Sequence, residues 1–260
     1  MNIKPLIIGD LIAKLPLIQG GMGVGVSLSN LAGNVAKTGA IGIISAAHPG
    51  YLEEDFETNT LNANLRGLKK HIQKAKEISS NGIIGVNVMV AMNNYIDHVK
   101  AAIEAGADLI ISGAGLPLNL PEITKDSSIK IAPIVSSAKA VRVILNYWKK
   151  HFNKTADAII VEGPLAGGHL GFKKDKLDEE IKDFDTTIVN VINEVKNFEE
   201  EFNKKIPVIV AGGIYSNEDF IRCINLGASG VQVATPFVTT YECDAHINFK
   251  NAYLKSKRKI

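Results

Sequence analysis

One histidine of this sequence stands in a cluster of glycines, where an imidazole could do chemistry. His169 follows Gly167 and Gly168 directly and precedes Gly171. Glycine leaves the backbone bare, so a ligand can approach this imidazole closely. Because imidazole titrates near neutral pH, His169 is the candidate catalytic residue, as a general base or as a group that holds an anion. The other histidines are predicted to be structural, on the surface or in the core: His48, His71, His98, His151 and His246.

Two further segments have the composition of a phosphate site. Gly212 and Gly213 follow the apolar run 207–211, and the segment Gln232, Val233, Ala234, Thr235 ends a second apolar run. Bare amides at the ends of neighbouring strands, next to a helix N-terminus, bind phosphate groups. The two segments together predict a site for a phosphate-bearing cofactor. The alternative is that Gly212 and Gly213 are needed only to form the turn. No HExxH motif or close His/Cys pair predicts a metal site.

A glycine-rich segment, 19–25, superficially resembles a dinucleotide-binding fingerprint. Counted from Gly21 and Gly23, the third glycine would fall at Val26, and no acidic residue closes the second strand near Ser45. We therefore favour a backbone that a flat ligand approaches closely. The alternative is a glycine-rich turn that is needed only for strand-to-helix packing.

The elements that must position these residues alternate between strand and helix along the whole chain. The apolar runs are continuous in Val, Ile and Leu, which is typical of parallel strands covered on both faces. Eight strands are predicted: 15–19, 40–45, 83–88, 108–112, 130–135, 158–162, 207–211 and 230–233. Seven helices are predicted between and after them: 29–38, 64–79, 95–105, 137–151, 186–204, 217–226 and 242–257.

Eight strands in 260 residues favour an α/β fold of the (β/α)8 TIM-barrel type over a doubly wound sheet. No linker divides the chain, so we predict one domain over residues 1–260. The segments 45–62 and 163–185 are longer than ordinary connections of this fold, and in a barrel both lie on the carboxyl-terminal face, where active sites are built.

The charge, the hydropathy and the cysteine content indicate which partners and which compartment to expect. Lys and Arg number 29 and Asp and Glu 27, so the net charge of +2 gives no electrostatic footprint for nucleic acid or an anionic membrane surface. The apolar runs are too short for a spanning helix. The N-terminus has no export signal and only two cysteines are present, which predicts a reducing cytoplasm. A homodimer is left open.

Five motifs occur together in one order: Gln19-Gly20-Gly21-Met22-Gly23, Gly85-Val86-Asn87-Val88-Met89, Gly113-Ala114-Gly115-Leu116-Pro117, Ala166-Gly167-Gly168-His169 and Ala211-Gly212-Gly213-Ile214. In these motifs the chain resembles, nearly end to end, the nitronate monooxygenase family. That family shares its fold and motifs with the flavin-dependent type II enoyl-(acyl-carrier-protein) reductases.

The resemblance implies an FMN cofactor across the mouth of the barrel. It implies that Gly212 and Gly213, with the turn formed by Gln232, Val233, Ala234 and Thr235, hold the phosphate. Met22, next to Gly21, would lie near the flavin ring, and Asn87, Glu162 and Gly167 match further FMN contacts. His169 matches the active-site histidine of the family.

Three departures from the family pattern stand beside these matches. Leu165 replaces the glutamate that commonly precedes Ala-Gly-Gly-His, and Ala234 replaces a glycine, so that its methyl group could crowd the phosphate. Relatives commonly continue for several tens of residues beyond the position of Ile260, so the barrel is expected to be shortened at its C-terminus. Ala245, Phe249, Ala252 and Tyr253 on one face of the last helix are expected to close it instead.

The leading functional hypothesis is the FMN-dependent oxidation of alkyl nitronates with O2, with His169 as base or substrate-orienting group. The first alternative is an FMN-containing enoyl-thioester reductase that uses NAD(P)H. The alternative of another class is a flavin-binding barrel without catalysis.

Overall fold

The computed structural model describes residues 4–80, 82–168 and 171–256, and its centre is a closed barrel of eight parallel strands. Neighbouring strands pair in chain order, and the last barrel strand pairs with the first, which confirms the predicted TIM barrel. All eight predicted strands are present within two residues of their expected ends. The strands are β1 (Leu6–Ile8), β2 (Leu11–Ala13), β3 (Leu17–Gln19), β4 (Ile41–Ser45), β5 (Ile83–Met89), β6 (Leu109–Gly113), β7 (Lys130–Val135), β8 (Ile159–Glu162), β9 (Val208–Ala211) and β10 (Gly230–Val233), of which β3 to β10 form the barrel.

Two apolar layers explain why the strands are continuously hydrophobic. Ile41 and Ile43 point into the barrel and pack in its interior, whereas Ile44 packs outward against the helices. Since successive side chains of a strand point to opposite faces, both faces of β4 are buried and no polar residue alternates. The run of apolar residues is therefore a direct consequence of the barrel.

The hairpin of β1 and β2 closes the amino-terminal end of the barrel, and it was not predicted. Leu6, Ile8 and Ala13 are buried in the interior cluster, and Asp10 forms an ion pair of 2.8 Å with Lys130 at the start of β7. The strands are only three residues long, so their alternation is weak in the sequence. The two-residue turn at Gly9 and Asp10 was the available signal.

Nine α-helices lie in the described part of the chain: α1 (Ser29–Lys37), α2 (Thr60–Ser79), α3 (Tyr95–Glu104), α4 (Leu120–Ile123), α5 (Ala138–Phe152), α6 (Leu177–Lys182), α7 (Phe184–Phe202), α8 (Asn217–Asn225) and α9 (Ile247–Lys255). The short helices α4 and α6 were not predicted. Helix α2 begins at Thr60, before the predicted residue 64, because the exposed polar residues Thr60 and Asn62 interrupt the apolar periodicity of its first turn. Within the same described residues, no helix is both long and apolar enough to span a membrane.

The last helix differs from its prediction in extent and in role. It begins at Ile247 and not at residue 242, because Asp244 is bound to α1: the Asp244 carboxylate accepts hydrogen bonds from the amides of Leu28, Asn30 and Leu31 at 2.9 to 3.1 Å. No residue of α9 is buried. The expected apolar face therefore does not close the barrel, which closes through the pairing of β10 with β3.

Candidate active site

A cavity of about 610 Å³ opens at the carboxyl-terminal ends of the barrel strands. Residues at or just after the carboxyl ends of all eight barrel strands line it, as is usual for active sites of this fold. All predicted cofactor-binding residues lie in its lining: Gly21, Met22, Asn87, Glu162, Gly167, Gly212, Gly213, Gln232, Val233, Ala234 and Thr235. The structure thus brings these eleven residues together, although they come from separate segments of the chain. His169, the predicted catalytic residue, lies outside the described residues.

The glycine pair after β9 forms a turn that only glycine adopts easily. Gly212 has a φ of +94° and Gly213 a φ of +73°. A Cβ atom on Gly212 would come within 3.0 Å of the Gly163 carbonyl oxygen, so the loops after β8 and β9 lie directly against each other. Within the described residues, the amides of Gly213 and Ile214 donate to no acceptor. These amides are therefore available to an anion in the cavity.

The N-terminus of α8, which follows this turn, already holds a negative group of its own. Ser216 caps the helix, and the Asp219 carboxylate accepts hydrogen bonds from the amides of Tyr215 and Ser216, both at 3.0 Å. These backbone hydrogen bonds hold the pKa of Asp219 below its usual value. The two amides that directly precede α8 are thus occupied by Asp219, whereas the amides of the glycine turn are not.

The glycine-rich segment after β3 is held from inside the barrel. The buried side chain of Gln19 accepts from the Ile43 amide at 3.0 Å and donates to the Ser27 hydroxyl at 2.9 Å. A Cβ atom on Gly21 would meet the Asn87 Cβ atom at 2.6 Å. Close packing alone therefore requires glycine at position 21, which supports the structural alternative there.

Gly167 and Gly168 are bare for a different reason. No heavy atom of the described residues lies within 4 Å of a Cβ atom placed on either glycine. Both glycines are exposed, and both line the cavity. The φ of Gly168, +93°, is itself a reason for glycine at that position. At Gly167, whose φ is not positive, neither backbone conformation nor packing within the described chain explains the missing side chain, whereas a ligand in the cavity would.

Two polar side chains at the cavity have no hydrogen-bond partner among the described residues. The Oε1 atom of Gln232 is buried and accepts no hydrogen bond from any described residue. Burial raises the pKa of Glu162 to about 7, so this carboxyl group is partly protonated near neutral pH. A buried acceptor without a donor is costly, and both groups are placed to meet a ligand with polar atoms.

Positive side chains are missing from this lining. The described residues that line the cavity include no Lys or Arg. Nor do three or more His, Cys, Asp or Glu side chains cluster anywhere in residues 4–80, 82–168 and 171–256 as they would around a metal ion. An anionic ligand would therefore be bound by amides, hydroxyl groups and imidazole.

Sequence reasoning missed several residues of the cavity, of which Ser45, His48 and Tyr215 carry polar groups. His48 was predicted to be structural, and it lines the cavity as the third residue after β4. Its place at the start of a long loop after a strand was the signal that could have identified it. Tyr253 reaches the cavity from α9, and among the four residues that were expected to close the barrel it is the one that lines the cavity.

Comparison with known proteins agrees with this architecture. Residues 4–260 match the nitronate monooxygenase family. A probable nitronate monooxygenase of Staphylococcus aureus (strain JH9) is 25% identical over 266 residues, which cover 94% of this chain and 70% of that protein. The probable nitronate monooxygenase of Staphylococcus saprophyticus is 26% identical over 280 residues, which cover 99% of this chain and 74% of the relative.

Solved structures share the fold. FabK from Thermotoga maritima superposes with a TM-score of 0.69 at 26% identity over 93% of this chain, which spans 64% of the length of FabK. Nitroalkane oxidase from Streptomyces ansochromogenes gives a TM-score of 0.70 at 19% identity, covering 92% of this chain and 70% of that one, and shows the fold alone. The family match over almost the whole sequence, on a barrel with this cavity, shows that the chain belongs to the nitronate monooxygenase family of flavin-dependent oxidoreductases.

Proposed function

We propose that this protein binds FMN in the cavity at the carboxyl-terminal face and oxidises alkyl nitronates with O2. The observation that carries the proposal is the convergence of eleven separately predicted residues on one cavity. The volume of about 610 Å³ lies within the range of cofactor sites. The unpaired acceptor of Gln232 and the free amides of the glycine turn suit a ligand that carries both donors and a phosphate.

The residues divide into a phosphate side and a ring side. Gly212, Gly213 and the turn of residues 234–235 would hold the phosphate through their amides, since the Tyr215 and Ser216 amides before α8 already donate to Asp219. Met22, on the loop after β3, and Asn87, near the carboxyl end of β5, would face the flavin ring. The cofactor supplies the redox chemistry, and the protein supplies binding, orientation and electrostatics.

The remaining groups would act on the substrate. We propose that His169 takes a proton from the nitroalkane form or orients the anionic nitronate. With a pKa of about 7, Glu162 can donate a hydrogen bond when it is protonated and accept one when it is ionised. Because no Lys or Arg is found in the described lining, uncharged donors would bind the nitronate oxygens.

The test is O2 consumption by the purified, FMN-loaded protein with propionate 3-nitronate. We expect uptake by the wild type and by His151→Ala, an exposed histidine on α5, and a loss of uptake in His169→Ala. Wild-type uptake no greater than that of His169→Ala would contradict the proposal.

A second candidate is the reduction of enoyl thioesters by NAD(P)H, which the structural likeness to FabK favours. The absorbance of NADH and NADPH separates the two candidates. A reductase oxidises NAD(P)H rapidly when a crotonyl thioester is present, whereas a nitronate oxidase leaves NAD(P)H unchanged. A protein that binds FMN but turns over neither substrate would indicate the third hypothesis, a flavin-binding barrel without catalysis.

A further inference from the structure

His48 stands at the cavity in an unfavourable backbone conformation. Its φ is +49°, in the left-handed region that non-glycine residues seldom adopt. The following Pro49 further favours an extended backbone at this position. A histidine here is strained where a glycine would not be, and residues held in strained conformations occur preferentially at functional sites.

The loop that carries His48 is fixed to α2 by close backbone packing. A Cβ atom on Gly50 would lie 2.1 Å from the Ala63 carbonyl oxygen, and one on Gly67 would lie 2.6 Å from the Gly50 Cα atom. The His48 ring also meets the ring of Phe56 edge to face, with centroids 5.6 Å apart. The exposed imidazole is therefore held on a rigid support and does not hang from a free loop.

The buried Asn64, in the first turns of α2, determines which ring nitrogen of His48 carries the proton. Asn64 Oδ1 accepts a hydrogen bond from the Gly50 amide at 3.1 Å, which fixes the orientation of the side-chain amide. Asn64 Nδ2 therefore faces His48 Nδ1, at 3.3 Å. Since an amide nitrogen only donates, Nδ1 must accept, and the proton of the neutral ring is on Nε2.

We propose that His48 is a substrate-binding residue that donates a hydrogen bond from Nε2–H to an anionic oxygen of the substrate. The inference rests on the proposed function, for which the oxygen belongs to the nitronate group or to a carboxylate on the same molecule. His48 is not a base in this arrangement, because Nδ1 is engaged by Asn64 and Nε2 already bears the proton. Among the described lining residues, which include no Lys or Arg, it is the only imidazole.

The tautomer can be measured without turnover, by long-range ¹H–¹⁵N NMR of the histidine rings in the FMN-loaded protein. We expect a pyridine-type Nδ1 and a pyrrole-type Nε2 for His48. Asn64→Asp should reverse the pattern, because a carboxylate at this place accepts from both the Gly50 amide and Nδ1–H. A protonated Nδ1 in the wild type would overturn the proposal whether or not the Asp variant folds.

Oxyanion binding is tested with nitrate, a planar oxyanion that is not oxidised further. We expect nitrate to shift the His48 Nε2 resonance, and its Kd to rise about 10-fold or more in His48→Asn, the loss typical of a hydrogen bond to a charged group. Asparagine tolerates the left-handed backbone, so this variant should fold. The control is His151→Asn, whose exposed ring stacks on Tyr147 away from the cavity.

Kinetics separates this inference from the proposed function. With propionate 3-nitronate, His48→Asn should raise KM about 10-fold or more and change kcat little. An unchanged KM and an unchanged Kd for nitrate would overturn the role of His48 while nitronate oxidation stands. Nitrate binding through His48 without any nitronate turnover would support the oxyanion site and remove only the nitronate assignment.

Discussion

Replacing Gly167 by alanine adds one methyl group to the backbone that lines the cavity. Gly167 is not among the glycines with positive φ, and no described atom lies within 4 Å of the position of the new Cβ. Alanine therefore fits the folded chain without strain. If FMN lies against this backbone, the methyl group occupies space that the cofactor needs.

The two effects have opposite signs and can be given magnitudes. Alanine reduces the conformational freedom of the unfolded chain, so the FMN-free protein should gain about 0.4–1 kcal/mol in the free energy of unfolding. Overpacking in a close-fitting site costs about 1–3 kcal/mol, which corresponds to an increase of about 5- to 150-fold in the Kd for FMN.

Gly106→Ala is the matched control. Gly106 also has no atom within 4 Å of an added Cβ, but its φ is +79° and it lies outside the cavity lining. Alanine there should destabilise the fold by about 1–2 kcal/mol and leave FMN affinity unchanged.

The assay combines urea unfolding of the FMN-free proteins with titration of FMN followed by flavin fluorescence. We expect Gly167→Ala to be at least as stable as the wild type and to bind FMN more weakly, and Gly106→Ala to be less stable than the wild type and to bind FMN as tightly. A Gly167→Ala protein that binds FMN as tightly as the wild type would refute the contact between the cofactor and this backbone.

Three further predictions concern single side chains. Burial raises the pKa of Glu162 to about 7 from 4.5, so the folded FMN-free protein retains a proton that the unfolded chain has lost between these values, and stability falls as pH rises through this window. The free energy of unfolding of Glu162→Gln, measured with urea, should therefore equal that of the wild type near pH 4.5 and exceed it by up to about 3 kcal/mol above pH 7. Equal free energies of unfolding for the two proteins across this pH range would contradict the prediction. Asp244→Ala removes the acceptor of three amides at the start of α1 and should cost about 0.5–2 kcal/mol in thermal unfolding, whereas the exposed Glu242→Ala should change little; equal Tm values for the two variants would count against the cap. Gln232→Leu removes a buried acceptor without a partner and should leave the FMN-free protein as stable or more stable while it raises the Kd for FMN by about 5- to 10-fold; unchanged FMN binding would show that this oxygen does not meet the cofactor.

The fold could be predicted because the same feature, a strand buried on both faces, recurs along the sequence. Each barrel strand is covered on both faces, as β4 is by interior Ile43 and outward Ile44, so a continuous apolar run marks it. The start of α8 at residue 217 was also predicted, since the signals that begin a helix are adjacent to it in sequence. The hairpin of β1 and β2 was missed because three-residue strands carry too little periodicity.

The sequence predicted the glycines of the site because they follow strands, and the parallel strands of a barrel all end at one face. It did not predict contacts between segments that are far apart in the sequence. The orientation of His48 depends on Asn64, on the next helix, and the cap of α1 comes from Asp244, more than 200 residues away in sequence. Neither of these two contacts produces a pattern within a short stretch of the sequence. The role of a histidine at the edge of a cavity becomes visible only when the loop is folded onto α2.

The most direct measurement is the binding of FMN by the purified protein, followed by the visible spectrum and by identification of the flavin released on denaturation. The structure predicts one FMN per chain, with its affinity lowered by a methyl group at position 167 and by the loss of the acceptor at position 232. A folded protein that remains colourless at saturating FMN, or that releases no flavin, would contradict the assignment of this cavity as a flavin site.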